Sequence, residues 1–227
     1  MRHDLFRFSG SYVTSAAVIV SKSGAGTHVG ILYRDDQGSL LRVDFYLDGR
    51  IASRPWGGGH FHVIPNTDDD ALSNLAALCQ VMERRYRAKP PEHLYAFRRN
   101  PHAYVDVRTG ELHLGGSLGA SCASFVLIVL SSAGIELVES GEGWPYREGP
   151  DSARHEELIE ILRQQNFSES YIERICTELP CPRVAPEEVA GAAMYPDLRA
   201  KPAPQSFAED AAKWIVDLWA LNAKHRV

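Results

Sequence analysis

Residues 122–134 read CASFVLIVLSSAG, a run of helical length that is apolar on nearly every side. A helix of that kind cannot sit at a surface, so the rest of the chain must enclose it. Gly134 supplies a C-terminal stop, while the β-branched content leaves a strand open for the same residues. The run is well short of the roughly 18 apolar residues needed to cross a bilayer, and no other stretch approaches that length. The chain has 227 residues, enough for a core without metal or disulfide staples and for one large domain or one domain with an appendage.

The enclosing material is legible in two textures. From Tyr12 to Ile64 the runs SYVTSAAVIV, THVGILY, LLRVDFYL and HFHVIP are bounded by Gly, Asp or Pro, and predict consecutive antiparallel strands. The DDQG between the second and third runs marks a hairpin turn. From Asp68 the period changes to three and four, through Leu72, Leu75, Ala76, Cys79 and Met82, with Thr67 and three aspartates to cap and charge the helix start. YVDVRTGELHL predicts a further hairpin. Beyond GEGWPYREGPD, helices are expected near 153–164, 169–179 and 186–194, then a last one opened by a capping box of Ser206 with Glu209. No internal repeat or low-complexity segment is visible. The reading is α+β, with a core over 1–140 and a helical C-terminal lobe over 141–227.

The 24 basic and 29 acidic residues leave a net charge of −5, the wrong sign for a general nucleic-acid binder. From Asp151 onward there are 13 acidic and 9 basic residues, so most of the negative charge lies in the helical lobe, which could present it to a protein partner. Seven basic residues between Arg84 and Arg108 could dock an anion or could simply solvate a helix end and loop. Cys79, Cys122, Cys176 and Cys181 are too few and too irregular for a disulfide scaffold, which suits a reducing compartment. The first twenty residues lack a signal-peptide core, so the expectation is a cytoplasmic protein, or one exported without a cleavable signal, with no integral membrane segment.

A thiol becomes a nucleophile when its pKa is lowered and a base stands beside it, and one common solution places cysteine at a helix N-terminus with histidine on a neighbouring strand. Cys122 meets the first condition, after the flexible approach GGSLGAS, whose backbone N–H groups could form an oxyanion hole. His28 meets the second, at the start of THVGILY after SKSGAG. Taken singly, such a cysteine is more often an inert core residue and such a histidine a surface one.

Cys122-Ala-Ser-Phe-Val126 with its apolar continuation resembles the nucleophile helix of NlpC-type papain-like cysteine hydrolases, and His28-Val-Gly-Ile31 with Leu32 and Tyr33 resembles their histidine strand. Histidine precedes cysteine here by 94 positions, the order of the circularly permuted branch that includes lecithin-retinol-acyltransferase-like enzymes. The resemblance lies within residues 12–140 and does not reach the helical lobe. It implies a papain-like antiparallel sheet packed on the cysteine-bearing helix. It also implies acyl transfer on an amide or ester through a thioacyl intermediate, with a peptide, amide or acyl substrate and no cofactor. The position before the cysteine, often Asp in the cell-wall enzymes, is Ser121, which weakens the case for a peptidoglycan substrate and makes Ser121 a substrate-side candidate.

A third residue should orient the imidazole from the next strand. Asp44 is best placed, provided the hairpin pairs 34 with 38 or 33 with 39 through a loop of three or five residues; otherwise it is a solvent-facing aspartate. His60 and His62 are in reserve. Trp56 with Gly58 and its neighbours either walls the pocket or is a plain strand connection. Cysteine and histidine spacing disfavours a metal site, the nearest approach being His60-x-His62. The competing functional reading is a papain-like shell without catalysis, serving as an interaction module.

Overall fold

Alternation of apolar side chains from Ala16 onward builds one sheet with two unequal faces. The computed structural model describes residues 5–7, 13–23, 26–57, 61–88, 93–96, 100–138 and 144–224. Strands β1 (Leu5–Arg7), β2 (Ala16–Ser23), β3 (Gly26–Arg34), β4 (Leu40–Phe45), β5 (Ile51–Pro55) and β6 (Phe61–Val63) form a six-stranded sheet in the order β1-β6-β2-β3-β4-β5. Every pairing in it is antiparallel. On the larger face, Val18, Val20, Val29, Ile31, Tyr33, Val43 and Phe45 join the main core; on the other, Ala17, Ile19 and Leu32 pack with Val13 in a smaller cluster.

The β3–β4 hairpin decides where the chemistry goes. Asp35 closes a five-residue loop, its Oδ1 accepting the N–H groups of Gln37 and Ser39, while Gly38 takes φ of 77°. The ladder then runs from Arg34↔Leu40 to Ile31↔Val43. The loop has one of the two expected lengths, but the register is displaced by two residues. Because a displacement of two preserves which face each side chain occupies, the relation between His28 and Asp44 survives it.

The first helix, α1 (Asp69–Ala88), covers the large face with Leu72, Leu75, Cys79 and Met82. Short pairs follow: β7 (Leu94–Tyr95), β8 (Tyr104–Val105), β9 (Leu112–His113) and β10 (Gly119–Ala120), with β8–β9 the expected hairpin and β10 parallel to β7. The apolar run resolves as helix α2 (Cys122–Ser132), and its ends explain why. Ser121 caps it, its Oγ accepting from Ser124 N while Ser124 Oγ accepts from Ser121 N, and Gly134 at φ of 86° lets Gly134 N and Ile135 N return to Ser131 O and Leu130 O. Between these caps all nine residues from Cys122 to Leu130 are buried.

The remaining helices are α3 (Pro150–Gln164), α4 (Glu169–Cys176), α5 (Pro186–Ala193) and α6 (Gln205–Lys224). They continue the same core: all eight residues of α5 are buried, and the helix packs on β2, β3 and α2. Gly191 permits the close approach of α6, since a Cβ there would lie 2.6 Å from Ala208 O. The proposed capping box of α6 is corrected. The helix already begins at Gln205, so Ser206 lies inside it, and Glu209 is drawn instead to Arg147 and Gln205.

Arg147 ties these helices together. Its guanidinium donates to Asp151 at 2.7 Å, Glu188 at 2.6 Å, Glu209 at 2.9 Å and the carbonyl of Arg183 at 2.8 Å. Asp151 and Glu188 are buried, so removing the cation strands two charges away from water. Arg147→Ala is expected to lower stability by about 3–5 kcal/mol, read as a fall in the urea midpoint with an unchanged slope. A loss below about 1 kcal/mol would mean that the carboxylates are held elsewhere.

Candidate active site

The site is assembled from a strand start, a neighbouring strand and a helix start. His28 opens the buried stretch of β3, and its Nε2 lies 2.8 Å from Asp44 Oδ1 on β4. With Nε2 so committed, Nδ1 is the ring nitrogen left for Cys122, whose thiol hydrogen-bonds to His28 and also receives the backbone N–H of Val29. Cys122 itself is the first residue of α2. The structure therefore brings Cys122, His28 and Asp44 into one chain of contacts.

Asp44 is 0% exposed, and a carboxylate in that position must be fully partnered. Arg42, two residues earlier on the same face of β4, donates from Nε to Oδ2 and from Nη2 to Oδ1, both at 2.6 Å. Tyr46 O–H at 3.4 Å and Arg54 Nε at 3.5 Å stand farther out. Gly30 makes the arrangement sterically possible, because a Cβ there would lie 2.5 Å from Asp44 Oδ1 and 2.9 Å from Val43 O. The glycine of His-Val-Gly-Ile is thus the space through which the carboxylate reaches the imidazole.

The electrostatics follow from these partners. Burial pulls the His28 pKa down, but hydrogen bonds to Asp44 and Cys122, with their charges, outweigh it and raise the value to about 9. Burial pushes Asp44 up, yet His28 and Arg42 bring it down to about 2. For Cys122, burial favours the thiol, and the His28 hydrogen bond and charge, the Val29 N–H and the charge of Arg183 more than reverse this. Both shifts favour the thiolate–imidazolium form of the pair.

Tyr95 on β7 was not anticipated. Its hydroxyl is 3.9 Å from Cys122 Sγ, and burial, together with the neighbouring thiolate, keeps it protonated. The Tyr95 strand is pinned beside β10 by the close approach of Gly119, where a Cβ would lie 1.8 Å from Leu94 O. Only three-dimensional proximity could have found Tyr95. Arg42 was more accessible, since Arg-x-Asp in a strand places both side chains on one face.

The triad borders a cavity of about 830 Å³. Its near wall includes His28, Arg42, Tyr95 and Cys122, and its far wall comes from α3 and the α4–α5 connection, with Arg154, Leu158 and Arg183. The other expected site residues lie elsewhere. Trp56 does not line the cavity: it packs against the smaller apolar cluster of Ala17, Ile19 and Leu32, edge-on to His62 at 6.2 Å. Ser121 is consumed by capping α2 and does not reach the cavity. Gly58 and His60 fall outside the described residues, and His62 is buried beside Trp56. The glycines Gly115 and Gly116 serve a turn after β9 instead of the thiol's surroundings.

Cys79 is buried in the core, where desolvation pushes its thiol pKa up, and Cys176 is half-buried against the same core. Arg85 and Arg87 of the basic stretch pair with Glu111 and Glu83, while Lys89, Arg98 and Arg99 lie outside the described residues. Among the described residues no group of three or more metal-ligating side chains converges, and no helix is long and apolar enough to cross a membrane. Compared with known proteins, the chain matches no family model, no curated protein and no solved structure.

Gly30→Ala and Asp44→Asn are each expected to raise the Cys122 pKa, because both weaken the imidazolium that holds the thiolate. Wild-type alkylation should already be fast well below pH 8 and slow in either variant, and equal profiles would remove Asp44 from the relay. Stability carries its own pH signature. The folded pKa of His28, about 9, lies above its reference value of 6.5, so its contribution is complete below about 6.5 and is lost as pH rises through 9. The contribution of Asp44 is present above 3.8 and is lost as pH falls through about 2.

Proposed function

We propose that this protein is a cysteine-dependent acyl-transfer enzyme, a hydrolase or acyltransferase acting on an amide or ester, with a papain-like arrangement in permuted order. The single observation that carries the reading is the Cys122–His28–Asp44 relay, its thiol and imidazole lining a cavity. An inert structural thiol requires neither an imidazole beside it nor a buried carboxylate behind that imidazole.

The Cys122 thiolate attacks the substrate carbonyl, a C–S bond forms, and the carbonyl π pair becomes an oxyanion. The N–H groups of Cys122 and Ala123, in the first turn of α2, have no intrahelical acceptor, and with the Tyr95 hydroxyl, 3.9 Å from the sulfur, they are the donors proposed to meet the developing charge. The C–N or C–O bond then breaks, and His28 transfers its Nδ1 proton to the leaving group. Water, deprotonated by the now neutral His28, attacks the thioester and releases the acid together with Cys122. A different nucleophile in place of water gives transfer. Asp44, locked by Arg42, keeps the imidazole's second nitrogen occupied throughout.

The four cysteines form no disulfide, which suits a reducing compartment for this chemistry. A panel of peptide amides, lipid esters, side-chain amides and protein tails should contain a substrate whose turnover falls by a factor on the order of 10⁴ or more in Cys122→Ala. Intact mass should detect a thioacyl adduct on the wild-type protein alone. The rate with that substrate should also decline as pH rises through about 9, where His28 loses the proton it donates. Equal rates for wild type and Cys122→Ala would overturn the assignment.

A further inference from the structure

Resting on the acyl-transfer reading of Cys122, we propose that Tyr171 of α4 is a positioning residue for the reaction: its hydroxyl, anchored on Leu47 O, holds the Tyr95 backbone so that the Tyr95 hydroxyl stays against the Cys122 sulfur. Strand β7 has two residues and a single paired edge, toward β10. Just beyond it, Ala96 N–H donates to Ala120 O at 3.0 Å on that side. The Tyr95 N–H turns the other way, and because Tyr95 is buried it must find an acceptor within the fold. That acceptor is the Tyr171 hydroxyl at 2.9 Å. The same hydroxyl donates to Leu47 O at 3.1 Å, in the turn between β4 and β5.

Both ends of this clamp lie one step from the chemistry. The Tyr95 hydroxyl is 3.9 Å from Cys122 Sγ, and β7 runs beside β10, the strand that leads into Cys122. Leu47 follows Tyr46, whose ring stacks on His28 with centroids 6.2 Å apart. The turn that carries Leu47 has little slack, since a Cβ on Gly49, at φ of 75°, would lie 1.7 Å from His93 O. Tyr171 is itself fixed: its N–H donates to the Ser168 cap of α4 at 3.3 Å, and its ring packs on Phe167 with centroids 5.0 Å apart. A hydroxyl that donates on one side and accepts on the other sets direction as well as distance. Without it the Tyr95 N–H and the Leu47 carbonyl lose their shared partner, and the edge strand can shift. A hydrogen bond to the thiolate weakens steeply with such a change in distance and angle. The helical segment thus does more than wall the cavity, because it governs one of the contacts on the sulfur.

Tyr171→Phe keeps the ring and removes the O–H. Alkylation of Cys122 by iodoacetamide as a function of pH, in the full-length protein and followed on the Cys122 peptide by mass, reads the consequence. The thiolate forms the C–S bond and iodide departs with the C–I pair. Tyr171→Phe should slow the reaction on the acid limb of the profile about threefold to tenfold and leave the alkaline plateau unchanged, because losing a charge-assisted hydrogen bond raises the thiol pKa. Tyr95→Phe should slow it at least as much, and the double variant no more than Tyr95→Phe alone.

A Tyr171→Phe profile superimposable on wild type overturns the proposal even where the urea midpoint falls, since a purely structural tyrosine gives that result. Slowings that multiply in the double variant also overturn it, because Tyr171 then acts by a route other than Tyr95. If Tyr171→Phe does not fold, Phe167→Leu, which removes the ring packed on Tyr171, carries the test. A slower acid limb that Tyr95→Phe masks supports the role, and a profile equal to wild type overturns it. Slow alkylation of wild-type Cys122 at every pH defeats the acyl-transfer reading and this role with it, whereas a reactive wild-type thiol with an unchanged Tyr171→Phe profile removes Tyr171 alone.

Discussion

A carboxylate sealed from water on an inner strand of a sheet is the constraint around which this molecule is arranged. Asp44 is 0% exposed, and its burial is sustained by Arg42 along the same strand and His28 across the hairpin. Such a charge is costly unless every lone pair is met, so the surrounding choices are narrow. Gly30 must lack a side chain, Arg42 must be long and forked, and the imidazole must present Nε2. Once those conditions hold, the other ring nitrogen is directed toward Cys122, and the lowering of the thiol's pKa follows from the same charges.

The second organising contact is made by the C-terminal helices. Buried α5 attaches them to β2, β3 and α2, and Arg147 holds the start of α3, α5 and α6 with the backbone of Arg183. They convert the outer side of the triad from open surface into the wall of a cavity. An acidic segment thereby contributes its basic side chains inward, a segregation that net charge along the chain conceals.

Much of the local architecture was legible before any coordinates. The three–four period of α1 and the CASFVLIVLSSAG run predicted helices, because hydrophobic period and cap chemistry act within a few residues of one another. The α6 start was misread for an instructive reason: Ser206 with Glu209 has the spacing of a capping box, but Pro204 and the long-range demand of Arg147 for Glu209 move the boundary and the carboxylate. Trp56 was misplaced in the same way, since a flat aromatic beside glycines is drawn to whichever apolar cluster lies next to its strand. Tyr95 and Arg183 left no local signal, as each owes its position to packing between distant segments.

The amino-acid order by itself determined on what kind of element each candidate group sits: a cysteine opening a buried helix, a histidine opening a strand, an aspartate on the strand that follows. Those features depend on neighbours a few positions away. Tertiary structure alone decided the two-residue displacement of the hairpin, the diagonal reach of Asp44 over Gly30, and the closing of the cavity by Arg183 and α3. These are balances of burial against charge pairing among residues up to about 150 positions apart, and such balances exist only once the chain has brought both partners out of water together.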